Sequence, residues 1–332
     1  MLMKKFKSLF KRFKFELIIF FISLLFSFWL MFSTFSYQNG EMQIASKAWS
    51  DFASNIPLIR SFSLGDNFLP QYPLFSGPPI KYHFLFYAFV GILEKIGLEI
   101  DYALNFPSAI GFSSLILMIY LFSKEIFKSK AVGIISIFLF LFNGSLSFIN
   151  FFSNNPISLS SFSKIISSNE FISFGPYKND VISAFWNLNI YTNQRHLSLS
   201  YAISLLLVYL LIRFNDKEKK INLKKSIFIG IILGFLFILN MAVFLMTTII
   251  LSTLLLLKVK SKIYLIIPIA LGAIIAFPQY LFIQSEEQSF RLMLNLGYLL
   301  EDLNLQSFIN YWLQNLGLHL FLIPLGVIVA NK

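Results

Sequence analysis

The feature that most constrains this chain is a repeated unit, an apolar run of about twenty residues with lysines and arginines crowded at its ends. A helix that is apolar all round has no polar face to give to water, so such a run belongs inside a core or a bilayer. Lys4, Lys5, Lys7, Lys11, Arg12 and Lys14 precede the first run, Phe15–Tyr37. At about 1.5 Å per residue it is long enough to cross a hydrocarbon core of roughly 30 Å. A signal peptide has the same order of charges, but its apolar part is only about 7–15 residues long and ends in small side chains. The expectation is a retained anchor with a cytoplasmic N-terminus.

Further apolar runs cover Tyr102–Phe122, Ala131–Phe152, Leu197–Ile212, Ser226–Leu239, Met241–Leu257, Ile263–Ile283 and Phe308–Ala330. Tyr82–Gly97 is short for a span and carries Glu94 and Lys95, each costing a few kcal/mol at mid-membrane. If it stays at the outer interface, the basic loops Lys124–Lys130, Arg213–Lys225 and Lys258–Lys262 all fall inside, placing 19 of 27 basic residues there and 12 of 16 acidic residues outside. The positive-inside bias therefore favours eight spans with both ends cytoplasmic. Ser226–Leu257 has basic clusters at both ends, which demands a hairpin, and Asn240 is its expected turn. The fold expected is an all-α polytopic membrane protein in one domain, 1–332. Residues 1–14 form the basic cytoplasmic segment, and 39–101, 153–196 and 284–307 are outer loops. The polar, Ser-rich middle of the second loop reads as a lid.

A net charge of +11 raises nucleic acid as a partner, but the cations cluster at span ends, as topology signals do, so no nucleic acid is expected. With no cysteine, disulfides, thiolate nucleophiles and Cys-ligated zinc are excluded, and three histidines do not make a His-rich metal site. No resident cofactor is expected. Asp51 and Asp66 offer oxygen ligands suited to Mg or Mn.

The chemistry concentrates outside the spans. Ionisable residues within them are nearly confined to His319, whereas ion-coupled transporters carry charges at mid-membrane. Met42–Phe62 reads as an amphipathic interfacial helix, with Ala45, Ala48, Trp49, Phe52, Ile56 and Ile59 on one face and Lys47, Asp51 and Asn55 on the other. Asp51 is thereby aimed at water. Arg60 follows in the same helix, and Gly65-Asp66-Asn67 is a turn signature. Gly77-Pro78-Pro79 stops any helix and presents Lys81 and His83, which reach phosphate or simply snorkel to headgroups. Gln194-Arg195-His196 opens a span at its outer end, where free N–H groups and the helix dipole favour an anion.

The order of these features resembles the membrane-embedded GT-C glycosyltransferases, in the branch of protein O-mannosyltransferases and bacterial aminoarabinose transferases. The likeness rests on the anchor, Asp51 in an interfacial helix, Gly65-Asp66, the Pro-Pro/Lys81 segment, Ile92–Gly97, Ala103–Ala109, Gly230–Phe244 and Ala276–Tyr280. It implies inverting transfer of a sugar from a polyprenyl-phosphate lipid to a glycan, lipid or protein acceptor at the outer face, in the plasma membrane. Asp51 maps onto that family's catalytic base and Lys81 onto its phosphate-contacting lysine. Arg195 and His196 have no family counterpart and stand on the anion-site argument. The chain departs from its relatives in having Phe52, not Glu, after Asp51 and a Pro pair before Lys81. It also ends at Lys332 just after a span, which reads as a short or truncated member. The alternative reading from the same residues is a non-catalytic protein that binds or moves a lipid-linked glycan, as a flippase or polymerase partner does.

Overall fold

The structure is a computed structural model, and it describes residues 2–45, 49–67, 69–142, 146, 149, 152–153, 155–167, 187–214, 222–256, 263–283, 300 and 302–330. Four of its helices are long and apolar enough to cross a membrane, in keeping with an all-α membrane protein. They are α1 (Leu2–Thr34, of which Phe13–Thr34 is the apolar part), α4 (Ile100–Phe127), α8 (Arg195–Phe214) and α11 (Ile263–Ile283). Between them come β1 (Phe35–Gln38), β2 (Glu41–Ile44), α2 (Trp49–Ser63), β3 (Gln71–Tyr72), β4 (Phe75–Pro79) and α3 (Leu85–Lys95). Then follow α5 (Lys130–Leu141), α6 (Leu159–Ser167), α7 (Asn187–Asn193), α9 (Leu223–Leu239), α10 (Met241–Leu256), α12 (Leu305–Leu316) and α13 (His319–Ala330).

Side-chain contacts set the helix directions. Phe15 meets Tyr120, Phe26 meets Phe112 and Phe32 meets Tyr102, so α4 runs antiparallel to α1. Gly133 against Tyr120 and Phe140 against Phe112 turn α5 back along α4. The pairs Asn105–Arg195 and Gly111–Leu199 make α8 parallel to α4, and Asn240–His196 and Thr247–Ser204 make α10 parallel to α8. Helix α9 therefore runs up to Asn240 against the direction of α8. It lies parallel to α11, with Gly230 and Gly234 against Leu271 and Ile275 and Gly272 against Leu233. A side chain at Gly234 or Gly272 would collide and one at Gly230 would be tight, so small residues let the two backbones approach closely, with Ser226 Oγ donating to the Tyr264 carbonyl and Gln279 Nε2 to the Gly234 carbonyl.

One end of the bundle thus gathers Thr34, Ile100, Arg195 and Asn240. The other holds Glu16 paired with Lys124 at 2.5 Å, together with Lys128, Lys130, Arg213 and Lys225. Both strand hairpins and α2 and α3 sit at the first end. The turn between β1 and β2 is Asn39-Gly40, both at positive φ, the pair a two-residue hairpin requires. Asn105 Nδ2 donates to the Phe35 carbonyl at 2.8 Å and the Tyr37 amide donates to Asp101 Oδ2 at 3.1 Å, so the first turns of α4 bind the unpaired edge of β1.

Several expectations need correction. The helix expected over Met42–Phe62 begins only at Trp49, because residues up to Ile44 pair in the hairpin. Its buried face carries Phe52, Ile56 and Ile59 as read, while Lys47 and Ala48 lie outside the described residues. The run Phe308–Ala330 is two helices, α12 and α13, bent by 83° at Gly317, whose φ of 55° halts α12. Helix α5 stops at Leu141, well short of Phe152. Helix α3 has only eleven residues, roughly 17 Å, about half the thickness of a hydrocarbon core. Asn240 does interrupt the Ser226–Leu257 run. The middle of the second outer loop, read as a lid, falls largely outside the described residues, as does most of the third.

Candidate functional site

Helix α2 contributes Asp51 and Asn55, one turn apart and both half-buried, beside the buried Phe52 and Ile59. It is docked on α3 by a close crossing in which Gly91 faces Phe62 and the Ile59 carbonyl, with no room for a side chain. An ion pair from Arg60 Nε to Glu94 at 2.7 Å and a bond from Ser63 Oγ to the other Glu94 oxygen at 2.5 Å tie the far ends together. These contacts set Asp51 beside the segment leading into α3, where Tyr82, His83 and Tyr87 lie.

Across from them stands the N-terminus of α8. His83 Nε2 and His196 Nε2 are 2.8 Å apart, the Tyr87 hydroxyl is 2.9 Å from His196 Nδ1, and Asn240 Nδ2 is 3.1 Å from His196 Nε2. Three side chains from two other segments therefore meet on one buried imidazole. The rings of Tyr82 and His83 lie against each other, with centroids 3.7 Å apart and planes tilted by 30°. Asn55 and Tyr82 lie close enough to act on the Tyr87 hydroxyl, which links the cluster back to α2.

Burial dominates the electrostatics. It raises the Asp51 carboxyl above the usual aspartate range and pushes His83 down to about 4. Tyr82 rises to about 12, through burial and then the negative charge of Asp51. Tyr87 lies well above the ordinary phenol range, through burial and then Tyr82 and Asp51. The carboxylate is thus close enough to both phenols for its charge to be felt, in a corner where Tyr82 still meets solvent and Tyr87 does not. Asp51 can take a proton, the Tyr82 phenol can donate a hydrogen bond and its ring offers an apolar surface.

Of the residues singled out from the sequence, His83 and His196 are brought together, and Asp51 lies within charge range of Tyr82 and Tyr87 in the same cluster. Arg195 is not in the open part of this cluster. It is 1% exposed, with Nη2 on Thr34 Oγ1 at 2.8 Å and Nη1 on Asn105 Oδ1 at 3.2 Å. Nη1 also contacts the Met31 thioether, and the guanidinium lies over the Phe52 ring at 5.4 Å. The anion site expected there is replaced by a cation that joins α1, α2, α4 and α8. Arg60 is committed to Glu94, and Asp66 is on the surface, 3.4 Å from Lys95. It is Asn67, not Asp66, that closes the expected turn, accepting from the Gln71 amide at 2.8 Å. Lys81 and Gln194 are exposed.

Among the described residues no three His, Asp or Glu side chains converge as metal ligands, so the pairing of Asp51 with Asp66 for Mg or Mn has no geometric support. Tyr82, Tyr87 and Asn240 belong to the cluster but were not singled out as site residues. The available signal was Asn240, a lone amide within 32 apolar residues, which reads first as a turn. Comparison with protein families, with curated proteins and with solved structures finds no match.

Proposed function

We propose that the protein is a membrane glycosyltransferase that moves a sugar from a polyprenyl-phosphate carrier to an acceptor at the outer face, with Asp51 as general base. One observation carries this reading. A half-buried carboxylate with a raised pKa stands within charge range of Tyr82 and Tyr87, at the end of the bundle away from the basic clusters. Raising the pKa makes the carboxylate a better proton acceptor, and the positive-inside bias assigns that end to the outer face.

In the proposed step Asp51 takes the proton of the acceptor hydroxyl. The acceptor oxygen forms a bond to the anomeric carbon as the bond from that carbon to the phosphate oxygen breaks, inverting the centre and releasing polyprenyl phosphate. Lys81, exposed at the entrance to α3, would meet the charge that develops on the leaving phosphate. The eight-span count and the likeness to GT-C transferases belong to the same proposal. So do the partners: a polyprenyl-phosphate sugar and a glycan, lipid or protein acceptor. Arg195 takes no part in holding phosphate.

The test is transfer from a labelled polyprenyl-phosphate sugar in membranes carrying the parent chain or Asp51→Asn. Removing a general base is expected to slow transfer by about 10²- to 10⁴-fold. Equal transfer by both would take Asp51 out of its role, and no transfer by either would favour the binding-and-transport reading.

A further inference from the structure

We infer that the corner formed by Asp51, Tyr82 and His83 receives the hydroxyl-bearing part of a ligand and not its phosphate, with His83 held as a neutral hydrogen-bond acceptor by a chain of bonds that starts at Asn240. The inference uses the cluster proposed above as a ligand site but does not depend on the transfer reaction.

The chain of bonds has one consistent set of proton positions. Asn240 precedes α10, and its Oδ1 accepts from the Val243 amide at 3.0 Å, a helix N-cap that fixes which way the amide faces. Its Nδ2 is therefore the atom 3.1 Å from His196 Nε2. An amide nitrogen only donates, so His196 Nε2 carries a lone pair, and the proton of that ring sits on Nδ1, directed at the Tyr87 oxygen 2.9 Å away. Two ring nitrogens in contact need one donor and one acceptor. His83 Nε2, 2.8 Å from His196 Nε2, must then be the N–H. In a neutral ring this leaves the lone pair of His83 on Nδ1.

A second proton on either ring is opposed by its surroundings. His196 is fully buried and already receives two donors at Nε2. Its neighbour along α8 is the buried Arg195, whose hydrogen bonds run to neutral groups, and the rings packed on His83 are those of Tyr82 and His196, with Asp51 within charge range of Tyr82. His83 pushed down to about 4 agrees with this arrangement. A carboxylate and an imidazole lone pair both accept, and both repel phosphate oxygens. Hydroxyl donors lying against the flat face of Tyr82 satisfy all three. In this scheme Asn240 and His196 are positioning residues for His83.

The chain has only three histidines, so ring-nitrogen NMR resolves the question directly. The full chain with His319→Gln, labelled with 15N-histidine and held in lipid nanodiscs, leaves two rings to follow, and His83→Gln in the same background assigns them. The expected result at neutral pH is His83 protonated on Nε2 alone and His196 on Nδ1 alone, with excess inorganic phosphate leaving the His83 signals in place. Asn240→Asp replaces the donor with an acceptor. It is expected to draw the His196 proton to Nε2 and move the His83 proton to Nδ1. Should that variant not fold, Asn240→Leu removes the donor alone and is expected to give mixed tautomers at both rings. A parent His83 protonated on Nδ1, or on both nitrogens, or drawn into protonation by phosphate, overturns the inference. None of these readouts uses sugar transfer, so an inactive Asp51→Asn and a failed tautomer pattern are separate results.

Discussion

Replacing Arg195 separates the two roles its position suggests. As a structural cation it makes charge-assisted bonds to Thr34 and Asn105, worth about 1.5–3 kcal/mol each, or roughly 3–6 together. Burying a guanidinium with no carboxylate beside it costs several kcal/mol, so the two terms nearly cancel. Methionine keeps much of the volume over Phe52 and needs no solvation. Arg195→Met is therefore expected to stay within about 2 kcal/mol of the parent. Arg195→Ala adds a cavity and should lose about 2–5 kcal/mol more. If Arg195 instead held the carrier phosphate, truncating a buried charge contact would cost about 2–5 kcal/mol of binding, which is at least about 30-fold in affinity. The assay is thermal unfolding in detergent together with the carrier-concentration dependence of transfer. A methionine variant that unfolds like the parent but needs 30-fold more carrier would refute the structural role argued for Arg195.

The remaining predictions concern packing and pH. Gly91→Ala places a methyl group 2.6 Å from Phe62 Cβ and 2.8 Å from the Ile59 carbonyl, so α2 and α3 must part. We expect a loss of about 1–3 kcal/mol in thermal unfolding and slower transfer, because Asp51 moves with α2. A pKa raised by folding makes the ionised carboxylate of Asp51 a destabilising group: the folded state gains below the ordinary aspartate pKa, and that gain is lost as pH rises through the raised value. Asp51→Asn should thus be at least as stable as the parent at neutral pH while losing transfer, and the acid limb of the parent's rate profile should lie above the usual carboxylate range. A less stable Asp51→Asn would contradict the burial argument. His83 has the opposite sign. Its lowered pKa stabilises the fold above about 6.5, and this is lost as pH falls toward about 4, so His83→Gln should flatten unfolding temperature across that window.

Much of the scaffold was legible along the chain. The apolar runs at Ile263–Ile283 and on either side of Asn240 appear as helices at nearly those bounds, because length and uniform apolarity leave a buried backbone no other way to satisfy its own hydrogen bonds. The expectation fails where a turn residue outweighs apolarity. Asn39-Gly40, a turn signal just beyond the first run, folds the end of that run into a hairpin, and Gly317 breaks the last run. Asp51 was legible as a polar residue of an amphipathic helix, but nothing along the chain indicates that Tyr82 and Tyr87 stand beside it.

From the sequence alone came the membrane class, most helix positions and the segregation of basic residues from Asp51, since each depends on neighbours within about twenty positions. Tertiary structure alone decided that Arg195 is buried against Thr34 and Asn105 while the adjacent His196 meets His83, 113 residues away. Periodicity reports which face of a helix is apolar. Which polar groups then meet depends on how several helices pack together, and there the cost of leaving a buried donor or acceptor unpaired selects the partners.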